Sequence, residues 1–239
     1  MTEKLYWIDA YLKEFDAVVT KASGNEIVLD RTAFYPTGGG QPNDTGRIAA
    51  SGTEYNVTDV KKGENGDIIH VLDANAESLA GKSVHGAIDW QRRYAHMRHH
   101  TAVHIVDAVL EKQYSSGKMT GGQIYADRAR FDIDMPELDR QKANEIIGKA
   151  DAVAKEGHDI TSRIITREEA MKMPNLIRTE PGSELVSSLE EVRLVEIIGI
   201  DVQSDGGTHV RNTGEVGGIV LSKYENKGKH NKRIEITLQ

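Results

Sequence analysis

Three histidines in the middle of the chain have a spacing that could hold a metal ion. His96, His100 and His104 lie four residues apart in a run without Gly or Pro, so on a helix their side chains share one face, with Cβ atoms about 6 Å apart. Two imidazoles from successive turns are a familiar way of binding a transition metal. By itself the pattern is more often a half-buried polar stripe, and the Glu of the zinc-protease motif is absent.

A second segment far along the chain could supply further ligands. Asp205 and His209 flank the sequence Gly-Gly-Thr, and two glycines permit positive φ values and a tight reversal that points both side chains at one centre. The alternative is a surface β-turn with an incidental histidine. Because the chain has no cysteine, any metal must be held by His, Asp or Glu. The sequence therefore predicts a tetrahedral nitrogen and oxygen site suited to zinc, formed by His100, His104, Asp205 and His209.

Two helices are predicted to carry or flank this site. Residues 91–114 contain apolar side chains at spacings near 3.6, which indicates a helix. These side chains are Ala95, Ala102, Val106, Val109 and Leu110. Residues 136–157 predict a second helix, with Pro136 near its start, acidic residues in its first turn and Gly157 at its end.

The remaining sequence is typical of strands. Up to residue 90, short β-type runs alternate with Gly, Asn and Asp turns, which favours a small barrel or sandwich. Later strand-like runs cover 129–135, 159–166, 191–202, 215–225 and 232–238. The predicted fold class is α+β: an N-terminal β-barrel domain over residues 1–90, then an α/β domain over 91–239 with an antiparallel sheet and two main helices.

Composition excludes several classes of protein. The 239 residues are 38% hydrophobic and 28% charged, with a mean hydropathy of -0.49, which describes a globular chain rather than a disordered or membrane-embedded one. No apolar run could span a bilayer, and the acidic first residues are unlike a targeting peptide, so we expect a cytoplasmic protein. The net charge of -7 argues against nonspecific coating of nucleic acid.

Three motifs resemble a known family. HTAVH at 100–104, DGGTHVRNTGEVG at 205–217 and FYPTGGGQPNDTG at 34–46 are similar to the editing domain of alanyl-tRNA synthetase. They resemble more closely its free-standing relatives, the alanyl-tRNA editing proteins called AlaX, and the closing ENKGKHNKRIEI at 225–236 is similar to the ending of that group. The length suggests the medium-sized type. The resemblance implies hydrolysis of alanine-specific tRNA mischarged with serine, with glycine as a second candidate.

The resemblance also implies a set of zinc ligands. The family uses two histidines of the first motif and a Cys and a His, four apart, in the second, which correspond here to His100, His104, Asp205 and His209. The family's cysteine position is therefore Asp205, a harder and more weakly held ligand than thiolate. Either Asp205 is the fourth ligand, or three histidines bind zinc and water or substrate takes the remaining place. Weaker retention of zinc on purification follows from both.

The glycine-rich loop is the predicted amino-acid pocket. Seryl-tRNA differs from alanyl-tRNA by one hydroxyl, which a pocket can select with hydrogen-bonding groups. We expect Thr37 to contact that hydroxyl, with Gln41 as a second polar group and Pro36 stiffening the entry. Three glycines would let the backbone approach the substrate: Gly38, Gly39 and Gly40. The alternative is a hairpin turn without a ligand.

The expected reaction is hydrolysis by water, and the expected partner is tRNA. Zinc can lower the pKa of bound water towards about 7 and polarise the ester carbonyl, or it can only orient the substrate. Without Cys or a serine nucleophile motif, water attack without a covalent intermediate is the simplest mechanism. The residues expected to contact tRNA phosphates, which could equally be ordinary surface charges, are Arg92, Arg93, Arg98, Lys227, Lys229, Lys232 and Arg233.

Two other functions fit the same residues. One is a zinc-dependent hydrolase of a small ester or amide that does not bind RNA. The other is an RNA-binding module in which zinc is purely structural.

Overall fold

The computed structural model describes residues 1–114, 117–173, 176 and 191–239. The chain forms two compact units, Met1–Ala95 and His96–Gln239. A long helix, Trp90–Gln113, begins in the first unit and continues in the second. The placement of domains at 1–90 and 91–239 therefore stays a prediction. Within the described parts of the chain, no helix is long and apolar enough to cross a membrane.

The N-terminal unit is built on a closed β-barrel. Its elements in chain order are β1 (Glu3–Lys4), α1 (Leu5–Ile8), β2 (Glu14–Ser23), β3 (Glu26–Leu29), β4 (Arg31–Thr32), β5 (Gly46–Ala50), β6 (Thr53–Lys62), β7 (Ile68–Leu72) and β8 (Ser83–Ile88). The barrel closes in the order β2-β3-β7-β6-β5-β8, and every pair of neighbours is antiparallel. The short β1 and β4 pair in parallel outside it.

Alternation of side chains explains why this sequence forms a barrel. Along β2, Phe15, Ala17 and Val19 are buried while the residues between them are exposed, which is the period expected of a strand with one face in a core. Phe34 and Ile48 complete the packing at 0% exposure. The predicted barrel is confirmed.

The C-terminal unit combines helices with two antiparallel sheets. Its elements are α2 (Trp90–Gln113), β9 (Lys118–Ile124), β10 (Ala129–Asp134), α3 (Arg140–Glu156), β11 (Ile160–Thr166), α4 (Arg167–Ala170), β12 (Glu191–Ile197), β13 (Asp201–Ser204), β14 (Ile219–Gly228) and β15 (Asn231–Leu238). One sheet has the order β14-β15-β10-β9 and the other β11-β12-β13, and α3 packs against β14. The predicted α+β class is confirmed.

Both main helices exist, and capping fixes where they begin. The Asp89 carboxylate accepts a hydrogen bond from the backbone N–H of Arg92 (3.2 Å) at the start of α2. The carboxylate of Asp139 accepts from the N–H of Lys142 (2.8 Å), so α3 starts at Arg140. The prediction of acidic residues in its first turn is therefore wrong, because they precede the helix. Gly157, with φ of 77°, ends α3 as predicted.

One predicted strand is in fact a hairpin. Gly199 has φ of 78° and breaks the run 191–202 into β12 and β13. The two strands pair antiparallel with Leu194 opposite Ser204. As a result, the chain leaves β13 at the residue before Asp205, and this hairpin sets where the loop 205–209 begins.

Candidate metal centre

Four side chains from two distant parts of the chain converge in the C-terminal unit. Their potential ligand atoms all lie within 4.8 Å of one another, and the residues are His100, His104, Asp205 and His209. The two histidines of α2 lie one turn apart, and the other two residues flank the loop after β13. The group is shielded from solvent, with His100 at 4%, His104 at 9% and His209 at 6% exposure.

The distances within this group fit a metal ion. Asp205 Oδ1 lies 3.7 Å from His100 Nε2, and Asp205 Oδ2 lies 2.9 Å from His209 Nε2. Ligand atoms about 2.1 Å from a tetrahedral zinc are about 3.4 Å apart, between those two values. Three imidazoles and a carboxylate are donors that zinc and similar divalent metals accept. The group could therefore hold a metal ion.

The protonation states of these residues also suit ligation. Burial lowers the pKa of His100 well below its ordinary value and lowers the pKa of His209 to about 4. Burial by itself raises the pKa of the Asp205 carboxyl, but the facing His100 and the hydrogen bond with His209 hold it well below its usual range. At neutral pH His100 and His209 are thus neutral and Asp205 is ionised, the forms that bind metals.

Gly207 gives the loop its close contact with the helix. A Cβ at this position would lie 2.2 Å from Cε1 and 2.5 Å from Nδ1 of His100, far inside van der Waals contact. The prediction that positive φ explains this glycine is wrong, since its φ lies outside the left-handed region. Only a residue without a side chain lets the loop backbone pack against the His100 ring.

Thr101, on the helix, holds the histidine that comes from the loop. Its Oγ1 lies 3.1 Å from His209 Nδ1 and accepts a hydrogen bond from the backbone N–H of Val210 (3.4 Å). A partner on Nδ1 leaves Nε2, the atom facing Asp205, as the ligand atom. Thr101 was not predicted from the sequence, although it is a hydroxyl residue directly beside His100 on a predicted ligand helix.

His96 is not part of the group that the structure brings together. It shares the helical spacing of His100 and His104 and is buried at 1% exposure. The residues that could hold a metal nevertheless do not include it. The four-residue spacing places all three histidines on one face of α2. Proximity to the loop after β13 determines which of them belong to the group.

The glycine-rich loop lies in the N-terminal unit and forms a tight turn. Gly38 and Gln41 exchange backbone hydrogen bonds of 3.1 and 3.0 Å, while Gly39 and Gly40 have φ of 59° and 77°. The Thr37 side chain is exposed, and its hydroxyl accepts a hydrogen bond from the N–H of Asn43 (3.2 Å).

The two polar residues of this loop differ in access. Gln41 is completely buried, whereas Thr37 faces solvent. Their roles as substrate-contacting residues, and those of Gly38, Gly39 and Gly40, stay predictions.

Arg93 anchors the base of the loop instead of facing a partner. Its guanidinium and the Asp44 carboxylate form an ion pair in which both side chains have 0% exposure. Asp44 also accepts a hydrogen bond from the N–H of Tyr35 (2.6 Å), which closes the loop at its two ends. The prediction that Arg93 contacts phosphates is corrected, because its charge is buried and neutralised.

Most of the other basic residues expected to contact tRNA bind the protein itself. Arg98 donates to the carbonyls of Glu215 (3.1 Å) and Val216 (2.7 Å), and Arg92 donates to the carbonyl of Asn43 (3.0 Å). Lys227 pairs with Glu225 (2.9 Å) and Arg233 with Asp132 (2.8 Å). Lys232 is buried at 4% exposure. Lys229 is exposed.

The comparisons with known proteins place both parts of the chain among domains of tRNA synthetases. Residues 5–92 match the family model "tRNA synthetases class II (A)". Residues 192–235 match the "Threonyl and Alanyl tRNA synthetase second additional domain", which includes Asp205 and His209. The class of protein is thus one built from synthetase-related domains.

The relatives at full length define the family. The alanyl-tRNA editing protein AlaX-M of Methanosarcina acetivorans is 46% identical over the whole of this chain and 99% of its own length. The AlaX-M protein of Saccharolobus solfataricus is 42% identical over the whole of both chains. The alanine–tRNA ligase of Ignicoccus hospitalis is 41% identical over 92% of this chain and 24% of the ligase.

The chain belongs to the family of alanyl-tRNA editing proteins, AlaX, as the motifs predicted. Members of this family are aminoacyl-tRNA deacylases, so the prediction of an enzyme is confirmed.

Proposed function

We propose that this protein hydrolyses seryl-tRNA formed on alanine-specific tRNA, with glycyl-tRNA on the same tRNA as a second substrate. The observation that carries the proposal is the convergence of His100, His104, Asp205 and His209 in a chain of the alanyl-tRNA editing family. We place this activity in the cytoplasm, where the charged tRNA is made and used.

Zinc is the cofactor we propose for this centre. The three histidines would hold the ion, with Asp205, water or substrate in the fourth position, and bound zinc would supply a Lewis acid that polarises the ester carbonyl or acidifies water, or would orient the substrate. The chain's own contribution is to keep the imidazoles of His100 and His209 neutral and the Asp205 carboxylate ionised in a site with little solvent. Asp205 supplies oxygen where a thiolate would bind more tightly, so we expect zinc to be lost more easily than from a sulfur site.

The reaction needs neither a protein nucleophile nor ATP. Water attacks the ester carbonyl, the bond to the terminal ribose breaks, and the released ribose hydroxyl takes up a proton. The chain has no cysteine, and the site consists of groups that orient and polarise rather than attack. We therefore propose direct hydrolysis without an acyl-enzyme.

Selection of serine over alanine is assigned to the glycine-rich loop. The exposed Thr37 hydroxyl can exchange a hydrogen bond with a seryl hydroxyl, whereas the buried Gln41 would act by holding the turn. We expect Thr37→Val to lower the ratio of seryl to alanyl hydrolysis by about 10- to 100-fold, in the range of losing one polar contact. Thr37→Ser, which keeps the hydroxyl, is the matched control. An unchanged ratio in folded Thr37→Val removes this residue from the pocket.

Binding of the tRNA partner is expected to depend on salt. Arg92, Arg98 and Lys229 are at least partly accessible and remain the side chains we propose for phosphate contact. Log affinity should fall as log salt rises, with a slope of about −0.9 for each phosphate contacted.

One assay separates the proposed function from its two alternatives. Seryl-tRNA prepared on alanine-specific tRNA is incubated with the protein as purified, after a chelator, and after addition of zinc. Our proposal requires turnover that the chelator abolishes and zinc restores. Binding of tRNA without turnover supports an RNA-binding module with a structural metal. Chelator-sensitive cleavage confined to small esters or amides supports the other hydrolase.

A further inference from the structure

Arg193 is a buried cation in an otherwise apolar stretch of β12. Its neighbours Val192, Leu194 and Val195 are at most 3% exposed, and Arg193 itself is 7% exposed. Burying a guanidinium costs free energy unless its donors are used. Packing alone therefore does not explain why an arginine occupies this position of β12.

The reason lies in the loop that joins two of the potential ligands. Arg193 Nη1 donates hydrogen bonds to the backbone carbonyls of Asp205 (3.1 Å) and Gly207 (2.9 Å). The carbonyl of Arg193 in turn accepts from the backbone N–H of Asp205 (3.1 Å). One residue thus fixes both backbone groups of Asp205 and the carbonyl two residues later.

These bonds act on the same backbone that orients the centre. The N–H of Gly207 donates to Asp205 Oδ2 (2.7 Å), and the Gly207 backbone packs against the His100 ring. The two carbonyls that Arg193 holds lie on either side of the Gly207 N–H along the backbone, so these bonds restrain the segment that carries this donor and the Asp205 carboxylate.

We infer that Arg193 is a positioning residue of the metal centre, which preorganises the Asp205–Gly207 backbone so that the loop ligands converge on those of α2. It touches no reacting atom, and its effect passes through the two carbonyls. This inference concerns metal binding by the chain and depends on the proposed function only for the readout on tRNA.

Arginine suits this position better than lysine. The guanidinium is planar, and its donors have fixed directions, so a single nitrogen can bridge two carbonyl oxygens of one turn. A lysine ammonium could reach one or both oxygens, but from a flexible stem. Arg193→Lys should therefore keep part of the function, whereas Arg193→Met removes the donors and leaves a side chain of similar length.

The test measures metal binding by the full chain. Zinc dissociation constants are obtained by competition with a chromogenic chelator, and the visible spectrum of the Co²⁺-loaded protein reports ligand geometry. We expect Arg193→Met to weaken zinc binding by about 10- to 100-fold and to alter the Co²⁺ bands, as for other outer partners of metal ligands. Arg193→Lys should fall between. The matched control is Arg163→Met on the neighbouring strand, where the side chain is 58% exposed and pairs only loosely with Glu196 (3.6 Å).

The outcomes discriminate between positioning and simple stability. A folded Arg193→Met protein with unchanged zinc affinity and unchanged Co²⁺ spectrum overturns the inference, even if its melting temperature falls. Should Arg193→Met fail to fold, Arg193→Lys decides, and an unaltered affinity and spectrum there overturn it equally. If the unsubstituted protein binds zinc in an Arg193-dependent way yet hydrolyses no seryl-tRNA, the inference stands and the proposed function fails.

Discussion

The centre depends on residues that cannot themselves bind a metal. Thr101 faces His209 Nδ1 at 3.1 Å, and Gly207 leaves the space that the His100 ring occupies. Ligand imidazoles in metalloproteins bind strongly when a second partner fixes their orientation. At the scale of single residues, we therefore expect metal affinity to depend on these neighbours as well as on the donors.

The Thr101 contact gives a test with a conservative control. Thr101→Val keeps the shape but removes the oxygen that faces His209 Nδ1, so we expect zinc affinity to fall by about 10- to 100-fold. Thr101→Ser retains the hydroxyl and should stay within a few-fold of the parent. Chelator competition measures both. Equal affinities for the Val and Ser variants would show that this hydroxyl does not orient the ring.

The close packing at Gly207 predicts how far an added methyl group destabilises the protein. Gly207→Ala places a methyl 2.2 Å from the His100 ring, which forces the loop or the ring to move and should cost about 1–3 kcal/mol of unfolding free energy, with loss of zinc binding. Gly148→Ala in α3 is the control, since a methyl there meets nothing within 4 Å. That change should stabilise the protein by up to about 1 kcal/mol because Ala favours helices. Chemical denaturation and zinc titration check the pair, and normal zinc affinity in Gly207→Ala would contradict the packing described.

Secondary structure could be predicted from the sequence where a regular pattern of apolar residues runs through one element. It was harder to predict where contacts with a distant strand determine which residue is required. The apolar spacing of α2 was sufficient, and so was the alternation in β2. In β8 a Cβ at Gly86 would lie 2.5 Å from the Phe15 ring, so packing against β2 requires that glycine, which periodicity alone does not show. The same limit applies to the site. The His100 and His104 spacing predicted a face of α2, but Thr101 and Arg193 leave no periodic signal.

The barrel contains a buried histidine with a predictable effect of pH. Burial lowers the pKa of His70 to about 4, and its Nε2 lies 2.8 Å from Thr32 Oγ1. In the unfolded chain its pKa is near 6.5. The folded state disfavours the charged imidazole of His70. The contribution of His70 to the free energy of unfolding is therefore complete above about pH 6.5 and is lost as the pH falls towards 4. The loss reaches about 2 kcal/mol at pH 5 by proton linkage.

Substitution of this histidine should flatten the pH profile. His70→Leu cannot take up the proton, so the difference in unfolding free energy between pH 7 and pH 5 should shrink by about 2 kcal/mol relative to the parent. His85→Gln, which changes an exposed histidine paired with Asp16 (2.9 Å), is the control and should leave most of the difference. Urea denaturation at both pH values provides the measurement. A parent-like pH difference in His70→Leu would mean that another group carries the acid sensitivity.

For the whole molecule, the metal centre joins sequence segments that are otherwise far apart. His100 and His209 are 109 positions apart in the sequence, and the centroids of their rings lie 4.4 Å apart. A ligand that requires both segments in place binds the folded chain and not the unfolded one. Occupancy of the centre and the stability of the chain are therefore thermodynamically linked.

This linkage predicts how zinc shifts thermal unfolding. At free zinc 100 times the dissociation constant, binding to the native state adds about 2.7 kcal/mol, which for a chain of this size raises the melting temperature by about 5–10 °C. Mg²⁺ at the same concentration should give no comparable shift, because it prefers all-oxygen sites. His209→Ala removes one donor and should abolish most of the zinc effect, while Gly148→Ala should preserve it. Scanning fluorimetry across a zinc titration measures all four conditions. A shift of equal size in His209→Ala would mean that zinc stabilises the protein from somewhere other than this centre.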